Sequence, residues 1–382
     1  MADGFAADEG TAQLMEKTEI FDYMAGNGHE KVLFFQNEEV GLRAVLAIHS
    51  TVLGPAAGGC RMWTYDDDLA AMEDALRLSK GMTYKYAAAG INLGGGKIVV
   101  IGDPKRQDGR EMLFRALGRF IDSLGGEYLT GEDVGTTLQD MDHMRVETRN
   151  VITLPESAGG AGPIGPATAF GVLQAMRACV EHHSGSPSLR GKRVVVQGLG
   201  AVGVPMVEFL TGEGAIVLVS DIDPAKVAAM VGAHGATAIG SDEVVGADVD
   251  VYCPCALGAT IDDGSLAVLK AQIVCGSANN QLAEWRHGDE LHRRGVVYAP
   301  DYIANAGGTV FDTDRLWGGV NKDRGMAKVA KIYERMHEVL AISTADDIPT
   351  YAAADRLAET RINGYKAIKR VHGFDQGQHV TI

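Results

Sequence analysis

The apolar positions of this chain alternate between two periods, one suited to strands and one to helices. Lys31 to Gln36 and Leu42 to His49 are short runs rich in Val, Leu, Phe and Ile, and they predict strands. A short helix is predicted over Glu19 to Met24. Asp66 to Tyr86 follows the helical period: Leu69, Met72, Leu76, Ser79 and Thr83 share one face, and Asp66, Asp67 and Asp68 supply an acidic, capped start. Glu111 to Leu124 predicts another helix, ended by Gly125-Gly126. A short strand, Glu127 to Leu129, then leads into Thr130-Gly131-Glu132-Asp133. Two glycine-rich stretches interrupt this half. Gly54 to Gly59 reads as a turn, and Gly94-Gly95-Gly96-Lys97 leads into a strand over Ile98 to Ile101.

The pattern changes at Ser157 to Pro166, a stretch too rich in Gly and Pro to hold regular structure for long, and a hinge is predicted there. A helix follows over Ala167 to His182. Strand Arg193 to Gln197, a glycine loop, helix Val202 to Thr211 and strand Ala215 to Ser220 come next, and strand–helix alternation runs on to Pro300. Such alternation predicts a parallel sheet with helices on both faces. After Lys322 the chain reads as helical to about Lys369, with a break at Ile348-Pro349. The fold class read from these elements is α/β in two domains, divided near the predicted hinge.

Composition narrows the function classes. The 382 residues suit two or three domains at about 150 residues each, and their hydrophobic content of 46% gives a sizeable core without disulfides or metals. The formal charge of −15 argues against a general nucleic-acid binder and against a protein of anionic membranes. No apolar run approaches the roughly 18 residues of a membrane span. Met1 to Thr18 carries Asp3, Asp8, Glu9 and Glu16, lacks the succession of a secretory signal, and reads as a short, partly disordered extension of a cytoplasmic protein. Five cysteines, an odd number, fit reduced thiols, and Cys253-Pro254-Cys255 lacks the second ligand pair of a metal site. The eleven histidines show no metal spacing, so no metal is expected; His49, in an apolar strand, reads as a satisfied core histidine. Arg286, His287, His292, Arg293 and Arg294 read as a solvated helix face, and Trp63, Trp285 and Trp317 as packing residues.

The second half carries a dinucleotide signature. The apolar strand Arg193 to Gln197 runs directly into Gly198-Leu199-Gly200-Ala201-Val202-Gly203, which opens a helix. Gly198 makes the tight turn, Gly200 lets the backbone approach a pyrophosphate, and Gly203 lets helix and strand pack closely. The pyrophosphate sits where unpaired helix N–H groups point outward. Asp221 ends the next strand, where its carboxylate can accept hydrogen bonds from both adenosine ribose hydroxyls and would repel a 2′-phosphate, so NAD is expected over NADP. Asp223 reads as a turn cap ahead of Pro224.

The first half supplies the candidate reacting groups Lys85, Lys97 and Asp133. Lys97 follows three glycines, on a tight backbone in an apolar segment. Two ammonium groups held close together disfavour each other's charge, which suits one of them to general-base work. From residue types alone that role stays open.

Seven segments carry a resemblance over residues 19 to about 370. They are Gly54 to Met62, Lys80 to Lys85, Asn92 to Lys97, Thr130 to Thr136, Val196 to Gly200, Gly276 to Gln281 and Tyr298 to Gly308. In that order they resemble the Glu/Leu/Phe/Val dehydrogenase family, and within it the leucine, valine and phenylalanine branch. The resemblance implies NAD-dependent, reversible oxidative deamination of a hydrophobic L-amino acid to a 2-oxo acid and ammonia. It implies that Lys85 grips the substrate carboxylate, that Lys97 activates water, and that Asp133 shuttles protons to and from the amino nitrogen. Gly58 and Gly59 resemble the loop that approaches the substrate. Asn280 resembles an asparagine near the carboxylate and nicotinamide, with Asn279 second, and Thr168 a threonine beside the nicotinamide amide. It also implies two domains with a cleft between them, residues 1–152 plus 346–382 as an α/β catalytic and assembly domain and residues 153–345 as a Rossmann-type NAD domain, and a homo-oligomer, a dimer or octamer, through the first domain. An NAD-binding protein without activity is the alternative of another class, and the intact Lys85, Lys97 and Asp133 argue against it.

Substrate choice stays open between aliphatic and aromatic side chains. Ala57 and Gly131 are smaller than the residues leucine dehydrogenases usually carry there, which widens the expected pocket toward phenylalanine or tryptophan. Thr309 and Asp312 stand where valines are usual. An acid lining an apolar pocket is costly, so three readings of Asp312 compete: a slip of one residue in the correspondence, a solvent-facing side chain, or a polar substrate.

Overall fold

Antiparallel pairing starts the first sheet, because β1 (Lys31–Asn37) and β2 (Leu42–Ser50) alternate around the short helical turn Glu38–Val40. This chain of 382 residues is described by a computed structural model over residues 20–368. Glu19, the extension Met1 to Thr18 and the last fourteen residues, 369–382, lie outside the described residues.

The described residues pack as two units. One comprises residues 20–163, 312–322 and 358–368; the other comprises residues 164–311 and 323–357. The sequence placed its first boundary at 152/153 and the return at 345/346. The packing units change at 163/164, inside the predicted hinge stretch, and the chain crosses again at 311/312, 322/323 and 357/358.

In the first unit, helix α1 (Ile20–Asn27) precedes β1 and β2. It is followed by β3 (Ala56–Trp63), α2 (Asp68–Ala88), β4 (Gly94–Ile101), α3 (Arg110–Ser123), β5 (Tyr128–Glu132) and α4 (Leu138–Arg145). The five strands run in the order β1-β2-β4-β3-β5, with β3 parallel to both β4 and β5. The predicted turn over Gly54 to Gly59 is corrected here: from Ala56 onward it is strand, and Gly94 to Lys97 likewise belongs to β4. Glycine disfavours strands, but these backbones approach too closely for anything else. A Cβ at Gly58 would meet Gly96 O at 1.8 Å, and one at Gly94 would meet Ser50 O at 2.0 Å.

Leu113, Phe114, Leu117 and Ile121 of α3 pack on one sheet face against Cys60, Met62, Ile98 and Val100, each side chain contributing roughly 1.5–3 kcal/mol of apolar burial. Helix α2 starts as read, with Asp67 accepting from Ala70 N–H, and buries Met72, Leu76, Ser79 and Thr83. Leu69, expected on the same face, is 40% exposed in the first turn of α2. His49 is a satisfied core histidine: Nδ1 is 2.8 Å from Thr83 Oγ1 and Nε2 3.0 Å from Asn27 O.

The second unit opens with α5 (Gly165–Ser184). Strands β6 (Arg193–Gln197), β7 (Ile216–Ser220), β8 (Thr237–Ala238), β9 (Val251–Pro254), β10 (Ile273–Val274) and β11 (Val297–Tyr298) are all parallel, in the order β11-β10-β9-β6-β7-β8. The order reverses between β6 and β9, the switch point where open α/β sheets take ligands. The helices between them are α6 (Gly203–Gly212), α7 (Pro224–His234), α8 (Asp263–Val268) and α9 (Trp285–Arg293). After β11 come α10 (Asp301–Ala304), α11 (Gly307–Thr313), α12 (Lys322–Ala330), α13 (Ile332–Asp346) and α14 (Thr350–Lys366). Asp223 caps α7 by accepting from Ala225 N–H, as expected.

Two surface readings are corrected. His287 is buried within the cluster read as solvated, where its Nδ1 accepts from Glu284 N–H in the capping of α9. Trp63, Trp285 and Trp317 are exposed rather than packed inside. Cys253 is buried, its Sγ 3.6 Å from that of Cys255, and all five cysteines are free. Among the described residues no helix is long and apolar enough to cross a membrane, and no group of metal-ligating side chains is assembled.

Candidate active site

In the first unit the chemistry is set by the parallel ladder of β3 between β4 and β5. Gly59 of β3 lies opposite Gly131 of β5. A Cβ at Gly59 would come within 2.6 Å of Asp133 Cβ and 3.2 Å of Lys97 Nζ, so the bare glycine leaves these two side chains room to meet. They do: Lys97 Nζ lies 2.8 Å from Asp133 Oδ2, with Lys97 only 4% exposed. Arg61 of β3 donates from Nε to the same oxygen at 3.1 Å and from Nη1 to Asp74 Oδ2 at 2.9 Å. Asp74 is held in turn by the Tyr65 hydroxyl, 2.6 Å away.

Burial would raise the Asp133 carboxyl, but the Lys97 ammonium and the Arg61 guanidinium outweigh it and hold its pKa down to about 2. The turn after Asp133 is clamped. Asp133 N–H donates to Thr136 Oγ1 at 3.0 Å, and Arg110 bridges Asp140 and Gly135 O. Sequence reasoning quoted Arg61 in a motif but gave it no role. The available signal was a cation between the apolar Cys60 and Met62 of one strand, which demands a buried partner.

Lys85 is half-buried in the last turn of α2. That helix covers the sheet face bearing Lys97, because a Cβ at Gly95 would meet Thr83 Oγ1 at 2.1 Å. Gly58 is buried, and its carbonyl accepts from the Tyr128 hydroxyl at 2.9 Å. Ala57 is fully buried. The space beside Gly131 is taken: a Cβ there would meet Thr153 Oγ1 at 2.5 Å. That hydroxyl donates to Asp312 Oδ2 at 3.0 Å. Asp312 is 4% exposed, which removes the solvent-facing reading. Burial pushes its carboxyl up to about 7, against the pull of Arg315 and Thr153.

In the second unit the three glycines after β6 differ in the way a pyrophosphate cradle requires. Gly198 has φ +98°, and a Cβ there would meet Ala256; one at Gly203 would meet Gly198 O at 1.8 Å; one at Gly200 would meet nothing within 4 Å. The open position is the one a phosphate would approach. Asp221 accepts from Leu199 N–H at 2.6 Å through Oδ2 and from Asp223 N–H at 2.8 Å through Oδ1. Each oxygen keeps a lone pair for a further donor. These residues fit a dinucleotide.

Thr168, in the first turn of α5, donates to Ile164 O at 3.0 Å, and its hydroxyl oxygen would lie 2.4 Å from a Cβ at Gly308. Asn279 Oδ1 accepts from Asn305 Nδ2 at 2.7 Å. Asn280 sits at φ +50°, its N–H donating to Asp301 Oδ2. Asp301 and Asn305, which hold this asparagine pair, were not singled out from the sequence. Thr309 lies in α11, half-buried, three residues before Asp312.

Comparison with known proteins identifies the family. A family model described as "Glu/Leu/Phe/Val dehydrogenase, dimerisation domain" matches residues 29–150. One described as "Glutamate/Leucine/Phenylalanine/Valine dehydrogenase" matches residues 159–232 and 221–314. The chain belongs to the Glu/Leu/Phe/Val dehydrogenase family. It is thus an amino-acid dehydrogenase, an oxidoreductase. This dehydrogenase is 51% identical over 348 residues to leucine dehydrogenase of Bacillus cereus, covering 91% of this chain and 94% of that one. It is 51% identical over 362 residues to leucine dehydrogenase of Geobacillus stearothermophilus, covering 95% and 98%. The crystal structure of L-tryptophan dehydrogenase from Nostoc punctiforme superposes with a TM-score of 0.82 at 38% identity, covering 91% of this dehydrogenase and all of that chain.

Proposed function

We propose that this dehydrogenase carries out the NAD-dependent, reversible oxidative deamination of a hydrophobic L-amino acid, giving the 2-oxo acid, ammonia, NADH and a proton from the amino acid, NAD and water. The observation that carries this reading is the Lys97–Asp133 pair, 2.8 Å apart and largely withdrawn from water. Leucine, phenylalanine and valine dehydrogenases are among its relatives.

Bound NAD supplies the acceptor for the hydride that leaves Cα. The loop Gly198-Leu199-Gly200 and the N-terminus of α6 would hold its pyrophosphate, and Asp221 its adenosine ribose. Thr168 and Asn279 are the proposed groups on the nicotinamide side. Lys85 binds the substrate carboxylate, an ionic contact that fixes Cα and supplies orientation. Gly58, Gly59 and Asn280 complete the carboxylate end, while Ala57, Gly131 and Thr309 face the side chain.

Lys97 holds a proton at Nζ and delivers polarised water to Cα; Asp133 carries a proton to and from the amino nitrogen. Arg61 keeps the carboxylate of Asp133 in place between turnovers, since it binds the same oxygen as Lys97. Lys85, Lys97, Asp133 and most of the other proposed substrate groups thus belong to the first packing unit, while Asn280, Thr309 and the proposed cofactor groups belong to the second. Assembly as a homo-oligomer, a dimer or octamer, in the cytoplasm belongs to the same reading and is supported by the matched "dimerisation domain".

The test is NADH absorbance at alkaline pH with leucine, valine, isoleucine, phenylalanine, tryptophan, glutamate and lysine. Turnover of the apolar members supports the reading; NAD binding with no NADH from any of them leaves only a binding protein. In the same assay Asp221→Ala removes an ionised acceptor, so the KM for NAD should rise roughly 10- to 100-fold with little change in kcat. An unchanged KM would sink the assignment of the ribose site.

A further inference from the structure

We infer that Asp312, held by Thr153 beside Gly131, determines substrate specificity, and that it selects a largely apolar side chain ending in a hydrogen-bond donor over the same side chain without one. The inference rests on the dehydrogenase reading above and narrows its substrate.

Placement comes first. Gly59 and Gly131 are ladder partners on adjacent strands and therefore present the same sheet face. The bare position at Gly59 is aimed at Asp133 and Lys97, and that at Gly131 at Thr153 Oγ1. The Thr153 hydroxyl thus lies on the face of the reacting pair, and its partner is Asp312 Oδ2. Two further neighbours bracket the same spot. Asp312 feels the charge of Glu132, which stands between Gly131 and Asp133 in the chain. The buried Tyr86, the residue after Lys85, in turn feels Asp312. Asp312 therefore adjoins the residues next to each proposed site group, Lys85, Gly131 and Asp133.

The chemistry then sets the preference. A carboxyl group offers about four lone-pair positions. Thr153 fills one of them among the described residues. The Arg315 guanidinium attracts Asp312 electrostatically, but its Nε and Nη2 donate to the carbonyls of Ile152 and Val151. An apolar side-chain tip placed against Asp312 would complete the burial of the carboxyl and return no hydrogen bond, which is costly. A phenol, an indole N–H or a terminal hydroxyl would donate to one of its remaining lone pairs. Gly131 belongs to the same device, because any Cβ there would displace the Thr153 hydroxyl that orients Asp312.

The experiment compares kcat/KM within two matched pairs, tyrosine against phenylalanine and 6-hydroxynorleucine against norleucine, in the wild-type enzyme and in Asp312→Val and Asp312→Asn. The wild type should favour the donor-bearing member of both pairs by about tenfold or more, since sites built to hydrogen-bond a substrate group discriminate strongly against analogues lacking it. Asp312→Val should reverse both preferences through a rise in KM for the donor-bearing member and a fall for its partner. Asp312→Asn, which keeps an acceptor, should retain part of the wild-type preference. A merely structural Asp312 would scale both members of a pair alike and leave the ratios unmoved. Wild-type ratios near unity in both pairs overturn the inference even if neither variant folds. Turnover of phenylalanine and norleucine without regard to the donor overturns it while leaving the dehydrogenase reading intact. No NADH from any amino acid overturns both.

Discussion

Asp133 and Asp312 belong to one packing unit and are both largely out of water, yet their surroundings drive them in opposite directions. Asp133 directly follows β5, where Lys97 and Arg61 converge on one of its oxygens, and its pKa is held down to about 2. Asp312 lies in the last turn of α11 with a neutral hydroxyl as its hydrogen-bond donor and is pushed up to about 7. Burial acts on both in the same sense. The difference is the number of cations within bonding distance, and it separates a fixed anion suited to proton traffic from a carboxyl that gains from a new donor. Four substitutions can break or sharpen this contrast.

The largest effect should come from Lys97→Ala. It removes the principal cation of Asp133 and the proposed proton donor at once, and kcat should fall by about 10²–10⁴-fold, the usual worth of a positioned acid or base. Normal NADH formation by this variant would end the assignment of Lys97. Arg61→Gln leaves Lys97 in place but removes the second cation on Asp133. Loss of a cation favours the protonated carboxyl, so the acid limb of the kcat–pH profile should move to higher pH, with kcat down roughly 10-fold. An unmoved acid limb would show that Lys97 alone sets the state of Asp133.

Asp312→Asn should act on stability rather than on turnover alone. The folded state of the wild type holds this proton up to about pH 7, whereas an unfolded aspartate releases it near 4. Between those values the native protein binds more protons than the unfolded chain, so stability falls as pH rises through that window. Asp133 behaves in the reverse sense: its contribution is present above about pH 4 and lost as pH falls toward 2. Asp312→Asn should therefore stabilise the protein by roughly 1–3 kcal/mol at pH 8 and by much less at pH 5, read as the difference in urea midpoints. Equal effects at the two pH values would mean that Asp312 does not carry a raised pKa.

How much of this was readable from the sequence depended on the distance over which each feature is decided. The Gly198 to Gly203 loop was recognisable because strand, glycines and helix follow one another directly, and the all-parallel order of β6 to β11 followed from the same alternation. Gly54 to Gly59 was read as a turn because glycine is depleted in strands. It is largely strand because Gly58 and Gly59 lie between β4 and β5, whose pairings come from residues far along the chain. Lys85, Lys97 and Asp133 were candidates by residue type and setting, the resemblance to a family gave them roles, and geometry then added Arg61. The surroundings of Asp312 could not be read at all. Thr153 stands 159 residues away, and nothing local to either residue announces the pair.

The smallest effect is the most direct test of that pair. Thr153→Val keeps volume and branching but removes the hydroxyl that donates to Asp312 Oδ2. At pH 8 the hydrogen bond lost is one to an ionised carboxylate, worth roughly 1.5–3 kcal/mol; at pH 5, with Asp312 protonated, it is a neutral bond worth roughly 0.5–1.5 kcal/mol. The destabilisation should thus be larger at pH 8 by about 1 kcal/mol. Losing a donor to the charged form also raises the pKa of Asp312 further, so the decline of stability with rising pH should extend to higher pH than in the wild type. In Asp312→Asn the same Thr153→Val change should cost a similar amount at both pH values, and a double-mutant cycle isolates the difference. Should the cycle show no coupling at pH 8, Thr153 would merely pack against Gly131, and the orientation of Asp312 would have to come from Arg315.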